Sequence, residues 1–169
     1  MILVESDASA EWDSSPALAA LAEGAVRAAV GASRHAALID SPLALEVSVK
    51  FAADEEVRAL NATYRGKDKP TNVLSFPMME AELLASITQA DGGEVLLGDI
   101  VLAHGVCARE AEEKAIAAED HAAHLVVHGT LHLLGYDHEE GDEEAEAMER
   151  VEREALAGLG IADPYAVHG

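Results

Sequence analysis

One cysteine, Cys107, stands in a chain of 169 residues. Its solitude excludes an internal disulfide framework and any cysteine-rich zinc module, and it points to a reducing compartment. Basic side chains are also scarce: 11 Lys and Arg face 32 Asp and Glu, a formal net charge of −21. So acidic a chain repels nucleic acid at long range unless its few cations are gathered in one place. No apolar run approaches the roughly 18 residues that a membrane-spanning helix needs. The opening MILVESDASAEWD has neither a basic start nor an apolar stretch behind it, so it does not read as a signal peptide. A cytoplasmic protein is expected, with one domain over residues 1–169 and a core that needs no staples.

The charge is unevenly spread. Residues 50–69 hold five basic side chains (Lys50, Arg58, Arg65, Lys67 and Lys69) against four acidic ones, whereas 110–154 hold fifteen acidic against three basic. The acidic run 139–154 reads as a solvated helix face. Ile2 to Glu5 reads as a short strand, and Pro16 to about Gly31 as a helix with Ser14 and Ser15 available as caps. From 43 to 51, Leu43, Leu45, Val47, Val49 and Phe51 alternate with small or polar residues, the pattern of a half-exposed strand. Asp54 is expected to cap a helix reaching about Tyr64, and Asn72 to Phe76 form a short β-rich stretch closed by Pro77. Residues 79–93 carry no clear signal and end in a turn at Asp91-Gly92-Gly93. Val95 to Leu102 reads as a buried strand interrupted at Gly98-Asp99. Helical patterns then cover about 105–118, 120–134 and 142–159, the last with Met148, Val151, Ala155 and Leu159 facing inward. Strands first and helices afterwards predict an α+β protein, a small mixed sheet covered by helices.

The densest chemistry lies in HGTLHLLGYDH, residues 128–138. His128 and His132 are four apart in a helical stretch, so both rings leave one face a turn apart. Gly135 supplies a left-handed position to end the helix, and Tyr136-Asp137 return the chain to His138. Three imidazoles with no obvious fourth protein ligand suit zinc or another borderline divalent ion and keep a position open for water, the catalytic arrangement. Such an ion lowers the pKa of bound water towards neutrality, which serves hydrolysis of a peptide, an ester or a phosphodiester equally well.

Two features discriminate among these. Metalloprotease helices carry a glutamate base directly after the first histidine; here that position is Gly129. Asp137 is the nearest carboxylate and suits an outer hydrogen bond or a loop cap rather than proton transfer. Arg65, with Lys67 and Lys69, offers a rigid guanidinium fork matched to phosphate oxygens, so a phosphodiester fits better than a peptide. His121 and His124 continue the histidine stripe and suit packing or a supporting role. His35, His104 and His168 have no motif partner and read as structural or solvent-exposed. Cys107 reads as a small core residue rather than a nucleophile.

HGTLHLLGYDH resembles the HGxLHLxGYDH signature of the YbeY family, bacterial single-strand-specific endoribonucleases also called rRNA maturation factors. NATYRGKDKPTNVLSFP at 61–77 is similar to the family block N-x-x-Y-R-x-x-D-x-P-T-[DN]-V-L-S-F-P, LGDIVL at 97–102 to its L-G-D-I-x-I strand, and HLVVHG at 124–129 leads into the metal motif as it does there. The likeness covers residues 40–160. It implies one Zn2+ held by His128, His132 and His138, a functionally important arginine at Arg65, and a metalloprotease-like α/β/α fold with a four-stranded sheet. It also implies action on single-stranded RNA in maturation of the 16S rRNA 3′ end and in quality control of the small ribosomal subunit. The acidity and the alanine-rich N-terminal region depart from the family pattern. Recruitment by a partner such as a ribosomal protein or GTPase would ease the difficulty that the acidity poses for binding RNA. Two rivals remain: a zinc-dependent peptidase-like hydrolase, and a non-catalytic ribosome assembly factor with a stabilising zinc. The residues name no general acid or base.

Overall fold

In the computed structural model, residues 1–12, 16–87, 92–136 and 141–163 are described. The elements run β1 (Ile2–Ala8), α1 (Pro16–Ala32), a 3-10 turn (Ala36–Ile39), β2 (Ala44–Ala52), α2 (Asp54–Arg65), β3 (Val73–Pro77) and α3 (Ala81–Ile87). They continue with β4 (Glu94–Ala103), α4 (His104–Lys114), α5 (Ala118–Leu133) and α6 (Asp142–Gly158). The sheet has the order β1-β2-β4-β3; β1, β2 and β4 are parallel, and β3 lies antiparallel at the edge. This is the mixed four-stranded, helix-covered α+β sheet that the pattern of strands and helices predicts.

The alternation in β2 decides what covers each face. Leu45, Val47, Val49 and Phe51, with Ile100 and Leu102 of β4, pack against Ala22, Val26 and Ala29 of α1 and Leu125 and Val126 of α5. The opposite face places Ala52, Leu74, Val101 and Ala103 under Val57 and Leu60 of α2. α5 is buried on nearly every side, as befits a helix that is apolar all round. Its Leu125, Val126, Val127, Leu131 and Leu133 are each worth about 1.5–3 kcal/mol on burial. That outweighs the roughly 1 kcal/mol that Gly129 costs inside a helix.

Several local expectations are corrected by tertiary contacts. β1 extends to Ala8 rather than ending at Glu5, because it pairs with β2 as far as Ala8 with Phe51. Asp54 does not cap α2, whose N-cap is Ala53; its carboxylate instead accepts from the backbone N–H of Gly105 (2.7 Å) and Val106 (3.2 Å) and caps α4. Residues 79–93 are not featureless, since they contain α3. Gly98 does not interrupt its strand: the pairing skips one residue there, and Gly98 is required because a Cβ would stand 2.5 Å from Phe76 O and 2.6 Å from Leu133 Cδ2. α4 stops at Lys114 rather than near Ala118, with Ala115 in the left-handed region. In α6, Met148 and Ala155 face inward as expected, but Leu159 is exposed and Glu152 and Leu156 are buried in its place. Ser14, Ser15 and Asp91 lie outside the described residues.

Cys107 is buried, and burial with the nearby Glu110 charge pushes its thiol up to about 12. A thiol so rarely ionised is a packing residue and no nucleophile. No helix among the described residues is long and apolar enough to cross a membrane.

Candidate active site

α5 brings His128 and His132 to one face, with their Nε2 atoms 3.1 Å apart. The helix ends as the sequence predicts. Gly135 takes φ 94°, its N–H reaches His132 O, and the Tyr136 N–H reaches back to Leu131 O, both at 3.0 Å. Tyr136 is buried and anchors the turn: its hydroxyl accepts from the Arg34 N–H at 3.0 Å, and the Arg34 guanidinium lies 4.1 Å from its ring centre. His138 and Asp137 lie outside the described residues. Among the described residues no group of three or more potential ligands is assembled, and His128 and His132 are the predicted ligands that meet.

A residue from the acidic run of α6 organises the pair. Glu152 of α6 is 0% exposed, against the expectation that 139–154 is a solvated face. Its Oε1 lies 2.5 Å from His128 Nδ1 and its Oε2 lies 3.2 Å from His124 Nε2. A carboxylate only accepts, so His128 donates its proton from Nδ1, which leaves the lone pair on Nε2 directed at His132. Two imidazole nitrogens bound to one zinc at about 2.0–2.1 Å in tetrahedral geometry would stand about 3.3–3.4 Å apart. The observed 3.1 Å spacing and the carboxylate behind one ring fit a divalent cation between them. The signal for Glu152 was in the sequence: it is four residues from both Met148 and Leu156, on the inward stripe of α6.

The two histidines open onto a cleft of about 880 Å³ between α5 and the edge strand β3, lined also by Tyr64, Arg65, Thr71 and Asn72. Arg65 is the last residue of α2. The loop after it is held from below: Asn61 Nδ2 donates to Lys69 O at 2.8 Å, and Arg58 grips Asp68 at 2.8 and 3.2 Å. The asparagine and aspartate of the N-x-x-Y-R-x-x-D block thus shape the loop that carries Arg65. Lys67 and Lys69 do not line the histidine cleft; they line an adjoining groove of about 370 Å³ that shares Arg65, Thr71 and Asn72 with it.

Gly129 also has a steric cause. A Cβ there would lie 2.9 Å from Ile100 Cγ2 on β4, so a side chain, a glutamate included, would have to displace Ile100 or the helix. The cleft is lined by no carboxylate among the described residues. The other histidines are structural where described: His104 packs its ring edgewise on Trp12, and His35 is partly buried. His168 lies outside the described residues.

His121 is buried with Nε2 2.9 Å from Glu110 Oε1, while its Nδ1 finds no hydrogen-bond partner among the described residues. A proton on Nδ1 would be stranded there. Burial accordingly pushes its pKa down, with the Glu110 hydrogen bond only partly opposing. Its stabilising contribution is complete above the unfolded value of roughly 6.5 and is lost as pH falls from there through the depressed folded value, because the unfolded chain then binds the proton more readily. His35, also lowered chiefly by burial, acts with the same sign. Urea midpoints should therefore drop between pH 7.5 and 5.5, and His121→Gln should make that drop smaller; an equal drop in both proteins would remove His121 from the explanation.

Comparison with known proteins supplies the family. The family model described as Endoribonuclease YbeY matches residues 10–160. The chain is 56% identical over 167 residues to the Endoribonuclease YbeY of Rhizorhabdus wittichii, covering 99% of this chain and 98% of that one. It is 54% identical over 168 residues to the protein of the same name from Zymomonas mobilis, covering 99% and 95%. Among solved structures, the solution structure of TM1509 from Thermotoga maritima matches 99% of this chain and 100% of that one with a TM-score of 0.55; at 24% identity the likeness is one of fold. The chain belongs to the Endoribonuclease YbeY family, hydrolases that cleave phosphodiester bonds within RNA.

Proposed function

We propose that this chain is a zinc-dependent endoribonuclease acting on single-stranded RNA, with His128, His132 and His138 as metal ligands and Arg65 as the residue that engages the scissile phosphate. The observation that carries the reading is the charge of the cleft. In a chain with 32 carboxylates and a net charge of −21, the described lining of this cleft contains Arg65 and two histidines and no carboxylate. Arg27, Arg34, Lys50, Arg58, Arg109 and Arg153 are all committed to ion pairs. Of the five that make none among the described residues, Arg65, Lys67 and Lys69 border the place where a polyanion would lie, while Lys114 on α4 and Arg150 on α6 stand elsewhere. A peptidase reading loses its customary base to the contact between Gly129 and Ile100.

Zinc, when bound, supplies Lewis acidity towards a phosphoryl oxygen and lowers the pKa of bound water. Glu152 keeps the proton of His128 on Nδ1 and the ring in place, so Nε2 faces the metal position. Arg65 presents its fork to the non-bridging oxygens, whose charge grows in the transition state. It cannot serve as the base, since it stays protonated. The 16S rRNA 3′ end as target and recruitment to the small ribosomal subunit by a ribosomal protein or GTPase rest on the family resemblance. A partner that supplies cations would offset the chain's long-range repulsion.

Metal content of the purified chain, paired with cleavage of a single-stranded RNA, tests this. Wild type should carry about one zinc and cut RNA, with activity falling as salt rises. His132→Ala should lose both metal and cleavage. Casein cleavage by wild type without RNA cleavage would transfer the site to the peptidase reading.

A further inference from the structure

Tyr64 and Phe76 are left over by the mechanism, yet they stand at a junction. Both line the histidine cleft, and both line a second, more apolar pocket of about 280 Å³ with Leu60, Met78, Ser48 and Asp99. That pocket lies on the α2 side of the sheet, so the two rings bridge from one cavity to the other across the edge strand β3. Their centres are 5.3 Å apart at 64°, edge to face, and Tyr64 is 67% exposed. A large aromatic ring held on one side and open to solvent on the other offers a flat apolar face on which another planar group can stack. Arg65, the neighbouring residue, presents its charge to the cleft.

An aromatic face beside a cation, at the end of a cleft whose described lining holds no carboxylate, matches what a single-stranded nucleic acid offers, a π-face beside each phosphate. Ser48 and Asp99 add hydrogen-bonding groups for the edge of a base. Lys50, the remaining cation there, is held by Glu56 at 2.5 Å, so the pocket suits a base rather than a phosphate. Its volume is just below the roughly 300 Å³ at which small-ligand pockets begin, enough for one base and not for a strand.

We propose that Tyr64 and Phe76 form a nucleobase subsite: the base next to the scissile phosphate leaves the cleft over β3 and stacks on Tyr64 in this pocket. The proposal rests on the reading of the histidine cleft as the place of RNA cleavage. A paired base is held in its duplex and cannot make this excursion without unstacking, so the subsite selects unpaired RNA.

The test uses the full chain and a short unstructured RNA whose cleavage position has been mapped. Each base near that position is replaced in turn by an abasic ribose, and kcat/KM is measured for wild type, Tyr64→Ala and Tyr64→Phe. In wild type, one abasic position should lower kcat/KM by about tenfold, the scale of one base stacked on one aromatic ring. Tyr64→Ala should lose a similar factor on intact RNA and become indifferent to that abasic position, while Tyr64→Phe keeps wild-type behaviour. Because Tyr64 is so exposed, circular dichroism and melting of Tyr64→Ala should match wild type. Equal activity of Tyr64→Ala and wild type, or an abasic penalty of the same size in both, overturns the subsite and leaves the cleavage reading standing. A zinc-loaded wild type that leaves RNA uncut overturns both.

Discussion

Replacing Glu152 by alanine is expected to destabilise the chain by about 3 kcal/mol and to weaken zinc binding by roughly 10- to 100-fold. The carboxylate is fully buried and bridges His124 and His128. Its removal takes the acceptor from two ring N–H groups, each costing about 1–3 kcal/mol if left unmatched, and opens a cavity between α5 and α6. For a chain of this size the melting temperature should fall by roughly 6–12 °C. The two consequences separate experimentally. The stability loss should persist in chelator-treated protein, because it belongs to hydrogen bonds already present without metal. The affinity loss should appear in competition against a zinc chelator. Glu152→Gln keeps the shape and one acceptor but presents a donor to the other histidine, so it should fall between wild type and alanine on both measures. An alanine variant that melts and binds zinc like wild type would falsify the role given to Glu152.

That buried glutamate also marks where the sequence stops being legible. The sheet and most helices follow from periods of two and 3.6, and His128 with His132 follows from four-residue spacing on a helix that ends at Gly135. These are local rules, and they hold where one face of one element is buried. Glu152 shares the inward stripe of α6, but only its partners on α5, 24 and 28 residues away, explain why a carboxylate from an acidic run is buried there. Asp54 fails for the same reason. It stands where a helix cap belongs, yet it caps α4, 51 residues further on. Gly129 is the converse case. Its identity was visible and weighed against a peptidase base, but the cause, the approach of Ile100 on β4, is purely tertiary. The Arg65 loop falls between: its residue types suggested phosphate, while the separation of Lys67 and Lys69 into a neighbouring groove needed coordinates.

Arg65→Ala is expected to lower kcat for RNA cleavage by about 10²–10³ while leaving folding and zinc content unchanged. The side chain is exposed and makes no ion pair among the described residues, so its loss leaves no buried partner stranded. The size of the effect follows from where its charge is used. A guanidinium that merely attracted RNA would raise KM and reduce the salt dependence by about 0.7 in slope, the share of one phosphate contact on a single strand. A guanidinium that meets the charge accumulating on the phosphoryl oxygens lowers kcat as well, because that charge is greatest in the transition state. Arg65→Lys distinguishes the two. Lysine keeps the positive charge and hence the electrostatic binding, but it lacks the planar fork that contacts two oxygens together. It should restore KM and the salt slope while recovering only part of kcat. Full recovery of kcat by lysine would reduce Arg65 to an electrostatic tether. A rise in KM alone, with kcat intact in the alanine variant, would remove it from the chemistry and leave the histidine pair, held by Glu152, at the reacting centre among the described residues.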